Sequence, residues 1–274
     1  MIVESLLAVV GTITAAFVWE NLIRDRVKVS RIKSANDKEV AGLIDLYTTL
    51  FTDDGTNYSC EELLEFTNPN PNDRHLDVEN IVLTASHHND VVGFLMCHFY
   101  RHRRKAIVSY FGINKEVREA RRKAADLMLS YLKKVLLDAE HHCDFLFFDM
   151  QGVEGALPQN EITERRARPV KFRQSAKALG MKAVIFDFPY RCPRISLSPE
   201  AKEYSFTLMC VPLRTALPKY VSRELLLSFL RFIYEDCYGD VYPISDPRFI
   251  EHHKYLKAKL KEYESTLPEQ ILTR

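Results

Sequence analysis

The sequence predicts an α/β fold built on a mixed sheet. Three observations lead to it. Strand-like and helix-like patterns alternate from about residue 27 to about residue 213. The run "DFLFFDM" (Asp144 to Met150) is apolar enough for a strand buried on both faces. With 46% hydrophobic residues, a chain of 274 residues can bury a sizeable core.

The elements follow in order. "VKVSRI" (Val27 to Ile32) reads as a strand. "NDKEVAGLIDLYTTLF" reads as a helix capped by Asn36 or Asp37, with Val40, Leu43, Ile44, Tyr47 and Leu50 on one face. "SCEELLEF" is a short helix capped by Ser59, and Asn68 to Asp73 is a loop. "NIVLTAS", a turn at "HHND" and "VVGFLMCHFYRH" make a hairpin, and after "RRKA" a third strand, "IVSYFGI", continues it. A long helix is expected over about Glu116 to Ala139, with an apolar stripe of Val117, Ala124, Leu127, Met128, Tyr131, Leu132, Val135 and Leu136. After the strand at Asp144 comes a polar loop holding Gly152, Gly155 and Pro158. "PVKFRQSAKALG" is then a helix with Pro169 in its first turn and Gly180 at its C-terminal cap. "MKAVIFDF" and "YSFTLMCVPL" supply two further strands.

Both ends differ from this middle. Ile2 to Ile23 is almost wholly apolar, with charges only at Glu4 and Glu20. A helix over these residues would rise about 33 Å, close to the ~30 Å of a bilayer core. The basic flank "RDRVKVSRIK" then predicts a membrane anchor at residues 1–24, with the rest of the chain in the cytoplasm. The alternatives are a helix packed against protein and a soluble cytoplasmic chain. Residues 214–274 hold two helical patterns. One is capped by Ser222; the other is highly charged, with Asp246 as cap and Pro247 at its first position. This extension is expected to cover a sheet face, to form a homo-oligomer contact, or to dock a partner.

Charge and cysteine usage narrow the function. The net charge of +1 gives no global field for nucleic acid, so any basic site is local. Six scattered cysteines without a CxxC motif predict buried thiols rather than a disulfide framework or a zinc site. The paired histidines at 87–88, 141–142 and 252–253 do not share a helix face, and no metal is assigned to them.

The local basic site lies at "SYFGINKEVREARRKAADLMLSYLKK", where a strand hands over to a helix and Arg118, Arg121, Arg122 and Lys123 crowd the junction. Basic residues oppose the helix dipole there, so an anion is the expected complement. The order β, α, α, β, β, β, α, β, α, β, β over residues 27–213, with this junction and the later Leu179-Gly180-Met181, resembles the GNAT superfamily of N-acetyltransferases. The resemblance implies an acyltransferase that moves an acetyl or other acyl group from acyl-coenzyme A to a small-molecule or peptide amine. It assigns residues 25–213 to the GNAT-like domain. It places the thioester against a backbone N–H around Phe111, Gly112 and Ile113, and the phosphates at Arg118, Arg121, Arg122, Lys123 and Ala124. This sequence departs from the family's loop in having no glycine between Gly112 and Gly152, so side chains are expected to hold the phosphates. Long-chain transfer from acyl-coenzyme A or acyl carrier protein, and a non-catalytic binding module, are the alternatives. For the base, Asp149, Glu154 and Glu161 stand at or after the end of the fifth strand, and Glu154 is selected because glycines flank it. The family's leaving-group tyrosine falls on Ala176, and Tyr190 is the substitute; Cys192 beside it reads as inert.

Overall fold

The computed structural model describes residues 27–51, 57–67, 77–138, 140–153, 157–195, 197, 203–239, 241–242 and 244–274. The apolar segment at Ile2 to Ile23, and Glu154, lie outside the described residues. Among the described residues no helix is long and apolar enough to cross a membrane.

The core is one mixed sheet. Its strands are β1 (Val27–Ile32), β2 (Val78–His87), β3 (Asp90–Tyr100), β4 (Lys105–Ile113), β5 (Phe145–Gln151), β6 (Val184–Ile185), β7 (Tyr190–Arg191) and β8 (Ser205–Pro212). The spatial order is β1-β2-β3-β4-β5-β8-β6, with β7 also paired to β8. Every pairing is antiparallel except β4 with β5. A parallel pair needs a crossover, and α3 (Arg118–Leu137) supplies it. The other helices of this part are α1 (Glu39–Leu50), α2 (Cys60–Glu65) and α4 (Gln159–Ala178).

Alternation along the strands divides the core. On one face, Leu83, Leu95, Cys97, Val108, Leu146 and Phe148 pack against Ala120, Ala124, Met128 and Leu132 of α3 and Phe172 of α4. On the other face, Val82, Phe94, Met96 and Tyr110 meet Leu43, Leu46 and Tyr47 of α1 and Leu63 of α2. The rest of that second face, with Ile107, Phe147, Leu208 and Cys210, is covered by the C-terminal segment. That segment runs through β9 (Tyr220–Ser222), α5 (Arg223–Arg231), a π-helical stretch (Phe232–Cys237), α6 (Arg248–Thr266) and β10 (Gln270–Leu272). Phe229 packs edge-on and Phe232 tilted against Phe147, at 5.1 and 5.7 Å between ring centroids. Fully burying rings of this size contributes about 1.5–3 kcal/mol each. Past β10 the chain end continues the sheet edge: Arg274 N–H donates to the Ile185 carbonyl and Ile185 N–H to that of Arg274.

Several expectations change in detail. Asp37 accepts from the N–H groups of Lys33 and Ser34, so it closes the turn before α1 rather than capping the helix. The second tail helix, highly charged in sequence, is amphipathic: His252, Leu256, Leu260 and Tyr263 are buried. The apolar surface set aside for a homo-oligomer contact is thus used within the chain. The strand expected over "MKAVIFDF" shrinks to Val184–Ile185, because the chain turns back at Pro189 to form β7. The largest difference is α4. It begins ten residues before Pro169, which sits buried inside it. An interior proline removes one N–H bond and strains the turn before it. Burial of Pro169 and Phe172 together with i,i+4 pairs Glu161–Arg165 and Glu164–Arg168 offset that cost. The far end behaves as expected: Gly180 has φ +67°, and Gly180 and Met181 N–H close onto Lys177 and Ala176 carbonyls.

Candidate active site

The site begins with a failure of pairing. β4 and β5 run in register only from Lys105↔Phe145 to Val108↔Phe148, although both strands continue. Where pairing stops, β4 carries a bulge: Val108 opposes Cys97 and Tyr110 opposes Met96, leaving Ser109 as an extra residue. A bulge bends its strand and sharpens the twist, so β4 swings away from β5 and a cleft opens between them. The cleft measures about 2450 Å³, larger than the ~300–1,000 Å³ of a single small-ligand pocket, so it has room for two substrates.

Backbone alternation decides which amides face this space. Asn114 N–H donates to the Val92 carbonyl of β3 at 2.8 Å. Gly112, two residues earlier, therefore also turns its amide to β3, while Phe111 and Ile113 turn theirs to the open edge. Of the three residues expected at the thioester, Phe111 and Ile113 present N–H groups and Gly112 does not. Gly112 has a steric role instead. A Cβ there would stand 2.7 Å from Phe94 Cε1 and 2.8 Å from Leu50 Cδ1.

The mouth toward α3 and α4 is cationic. Helix α3 has no side-chain cap on its N-terminus, and its first internal bond is Arg121 N–H to Val117. Its first amides thus lack helical partners and carry the positive end of the dipole. The helix starts at Arg118 rather than Glu116, because Asn114 Oδ1 takes the Glu116 N–H in a local turn. Arg121 and Arg122 line the cleft; Arg118 is the first helical residue. Ala124 is a correction: it is fully buried in the core against the sheet, and Ala125 lines the cleft in its place. Lys123 is half-buried and does not line the cleft either. Ala124 belongs to the core-side half of the helix. Arg165, Arg168 and Lys171 on α4 complete the mouth, with Lys115. Burial raises the Glu164 carboxyl, but the Arg168 hydrogen bond and the charges of Lys115 and Arg121 outweigh it and hold it below the usual range. Spacing of three residues on a helix face would have revealed the α4 cations, had α4 been carried through Pro169.

On the opposite face of β5 stands Asp149. Phe147 packs under the C-terminal segment, so Asp149, two residues on, shares that face and opens onto the cleft. Three donors converge on its Oδ2: Tyr190 Oη at 3.5 Å, Cys192 Sγ at 3.4 Å and Tyr238 Oη at 3.4 Å. Tyr238 Oη and Cys192 Sγ are 3.0 Å apart. Burial pushes the Asp149 carboxyl above its ordinary value, against the pull of these donors. Burial also raises the Cys192 thiol well above normal, so it stays a thiol and is not a nucleophile. Tyr190 is a second correction. It is 1% exposed and does not line the cleft, because pairing of β7 with β8 turns it into the core. Its hydroxyl supports Asp149 instead of meeting a substrate.

The C-terminal segment holds this arrangement in place. Backbone groups of 191–197 bond to its phenols: Arg191 N–H to Tyr263, Arg194 N–H to Tyr255, Leu197 N–H to Tyr242, and Tyr234 Oη to the Arg191 carbonyl. The π-helical stretch then delivers Cys237 and Tyr238 to the cleft. π-helical turns are often found at functional sites. No sequence signal reveals Tyr238, since it reaches Asp149 across 89 residues. Among the described residues no cluster of His, Cys, Asp and Glu is arranged to hold a metal ion, and all six cysteines are thiols.

No protein-family model matches this chain, and no curated protein does. Several solved acetyltransferases align with it. A putative acetyltransferase from the GNAT family of Bacteroides thetaiotaomicron is 16% identical over 75% of this chain and 97% of its own, with a TM-score of 0.48. The aminoglycoside 6'-N-acetyltransferase from Enterococcus faecium is 15% identical over 70% of this chain and 99% of its own, at 0.44. A probable acetyltransferase from Staphylococcus epidermidis ATCC 12228 is 9% identical over 67% and 97%, also at 0.44.

Proposed function

We propose that this chain is an N-acyltransferase. It moves an acyl group, acetyl in the simplest case, from a coenzyme A thioester to an amine. The observation that carries this reading is the β4–β5 divergence. It leaves the outward amides of Phe111 and Ile113 across the cleft from a carboxylate, with a cationic mouth at one end.

The thioester carbonyl oxygen accepts one of those two amides, which stabilises the charge it gains on attack. Asp149 takes one proton from the acceptor ammonium, and burial makes it a stronger base than a solvated carboxylate. The amine nitrogen then attacks the carbonyl carbon, the C–S bond breaks, and the thiolate recovers a proton from the attacking nitrogen. The phosphates of the donor lie at the N-terminus of α3 with Arg121 and Arg122, and the α4 cations extend that site.

Calorimetric titration of the chain with acetyl-coenzyme A tests this. Micromolar binding is expected, weakened about tenfold or more by Arg121→Ala with Arg122→Ala, since charge-assisted hydrogen bonds contribute about 1.5–3 kcal/mol each. Absence of binding to acetyl-coenzyme A or free coenzyme A would remove the donor from the account.

A further inference from the structure

One guanidinium of the cleft lacks the kind of partner that others there have. Arg31 and Arg101 hold Glu79, Arg165 holds Glu161, and Arg168 holds Glu164. Arg194 also lines the cleft, yet among the described residues no carboxylate pairs with it. Its Nε is buried without a hydrogen-bond partner. On the same side, Glu203 is held by Lys259 at 2.9 Å, and Asp149 by its three donors. The Tyr255 ring lies 4.6 Å from the Arg194 guanidinium carbon, and the Tyr255 hydroxyl accepts the Arg194 backbone N–H at 3.3 Å. Stacking satisfies only the flat face of a guanidinium, whose N–H donors point outward in its plane. A buried donor without a partner is costly, most of all on a charged group. An anion would complete the arrangement.

Position in the fold says which anion. Helices α3 and α4 pack on one face of the sheet, and they carry the arginines assigned to the donor phosphates. Arg194 lies on the other face, against Tyr255 of α6, in the layer that covers Phe147. Asp149 opens onto the cleft from that same face. Cys192, two residues before Arg194, places its Sγ 3.4 Å from Asp149 Oδ2. Pro193 favours extended backbone before it, which puts Arg194 about 6–7 Å further along the chain. A carboxylate and a guanidinium thus stand near each other on one side of a single cleft. We propose that the acceptor carries a carboxylate besides its amine, with the ammonium at Asp149 and the carboxylate on Arg194. The substrate class is then an amino acid. That the occupant is an acceptor rests on the acyl-transfer reading; its binding does not.

The test is a calorimetric titration of the full chain with the ω-amino acids from glycine to 6-aminohexanoate, each against the alkylamine that lacks its carboxylate. A series is used because the distance between the two charges selects the member. The best member should bind at least tenfold more tightly than its alkylamine, as a charge-assisted pair provides. Arg194→Gln should abolish that difference and leave the affinities for the alkylamine and for acetyl-coenzyme A at their parental values. Arg194→Lys keeps the charge without the fork and should keep only part of the difference. The Tm of each variant checks its fold, and where Arg194→Gln does not fold, Arg194→Lys decides. No advantage of any ω-amino acid over its alkylamine in the parent, or an undiminished advantage in a folded variant, would overturn the proposal. So would a folded Arg194→Gln variant that loses acetyl-coenzyme A instead, since Arg194 would then belong to the donor. A parent that binds the ω-amino acid but no coenzyme A would refute acyl transfer and leave the carboxylate pairing standing.

Discussion

Asp149→Asn separates chemistry from stability. The substitution keeps the shape of the side chain and removes the base. Most of the described carboxylates lining the cleft are held by other partners. Glu79 is bound by Arg31 and Arg101, Glu161 and Glu164 pair with α4 arginines, and Glu62 caps α2 through the Ser59 N–H. Losing a positioned base costs about 10²–10⁴-fold in rate, and about 10³-fold is expected in kcat/KM. Stability should move the other way. A carboxyl whose native pKa is raised holds more protons in the folded than in the unfolded state above its unfolded pKa. Its contribution therefore falls as pH rises through the native pKa. Asn removes that penalty, so the variant should gain thermal stability relative to the parent as pH rises above the unfolded carboxylate value of about 3.9. The assay is release of coenzyme A thiol across pH, paired with Tm at each pH. In the parent, the rate should rise through a pKa above the ordinary carboxylate range of about 3.9, and that limb should vanish in the variant. A variant with parental activity, or one whose pH profile keeps the limb, would refute the assignment of Asp149 as base.

Other expectations follow from the same geometry. Gly112→Ala should destabilise the chain by about 1–3 kcal/mol in denaturant titration, because its Cβ has to displace the buried Phe94 ring and Leu50. Truncation after Leu213 should leave an aggregating or unfolded chain on size exclusion, because Phe147, Leu208 and Cys210 lose their cover. The His98 ring should titrate near 4 by NMR. It should add stability at pH above about 6.5 that is lost as pH falls, since the unfolded imidazole takes the proton more readily.

Much of the fold is legible in the sequence where local chemistry and tertiary packing agree. The hairpin around His88 and Asn89, with both residues at positive φ, follows from its turn residues. Ser59, Ser222 and Gly180 end or begin helices as their types predict. Pro169 misleads because proline marks helix starts more often than buried helix interiors, and that hides the cations of α4. The basic junction of α3 is readable, but which of its residues face the cleft depends on helix phase against the sheet, and Ala124 falls on the core side. Asp149 is readable only as one of three acids at or after the end of the fifth strand. What distinguishes it is the tail's return across the sheet, which brings Tyr238 beside it, and no local pattern encodes that contact.

The central claim is that the edge amides of β4 receive a thioester. Backbone ¹⁵N–¹H shifts of Phe111 and Ile113, followed on adding acetyl-coenzyme A and then free coenzyme A, test it most directly. Both compounds should perturb the first turn of α3, and only the thioester should move Phe111 or Ile113 strongly downfield, as a new hydrogen bond requires. Identical shifts with the two compounds, or no change at either amide, would contradict the account.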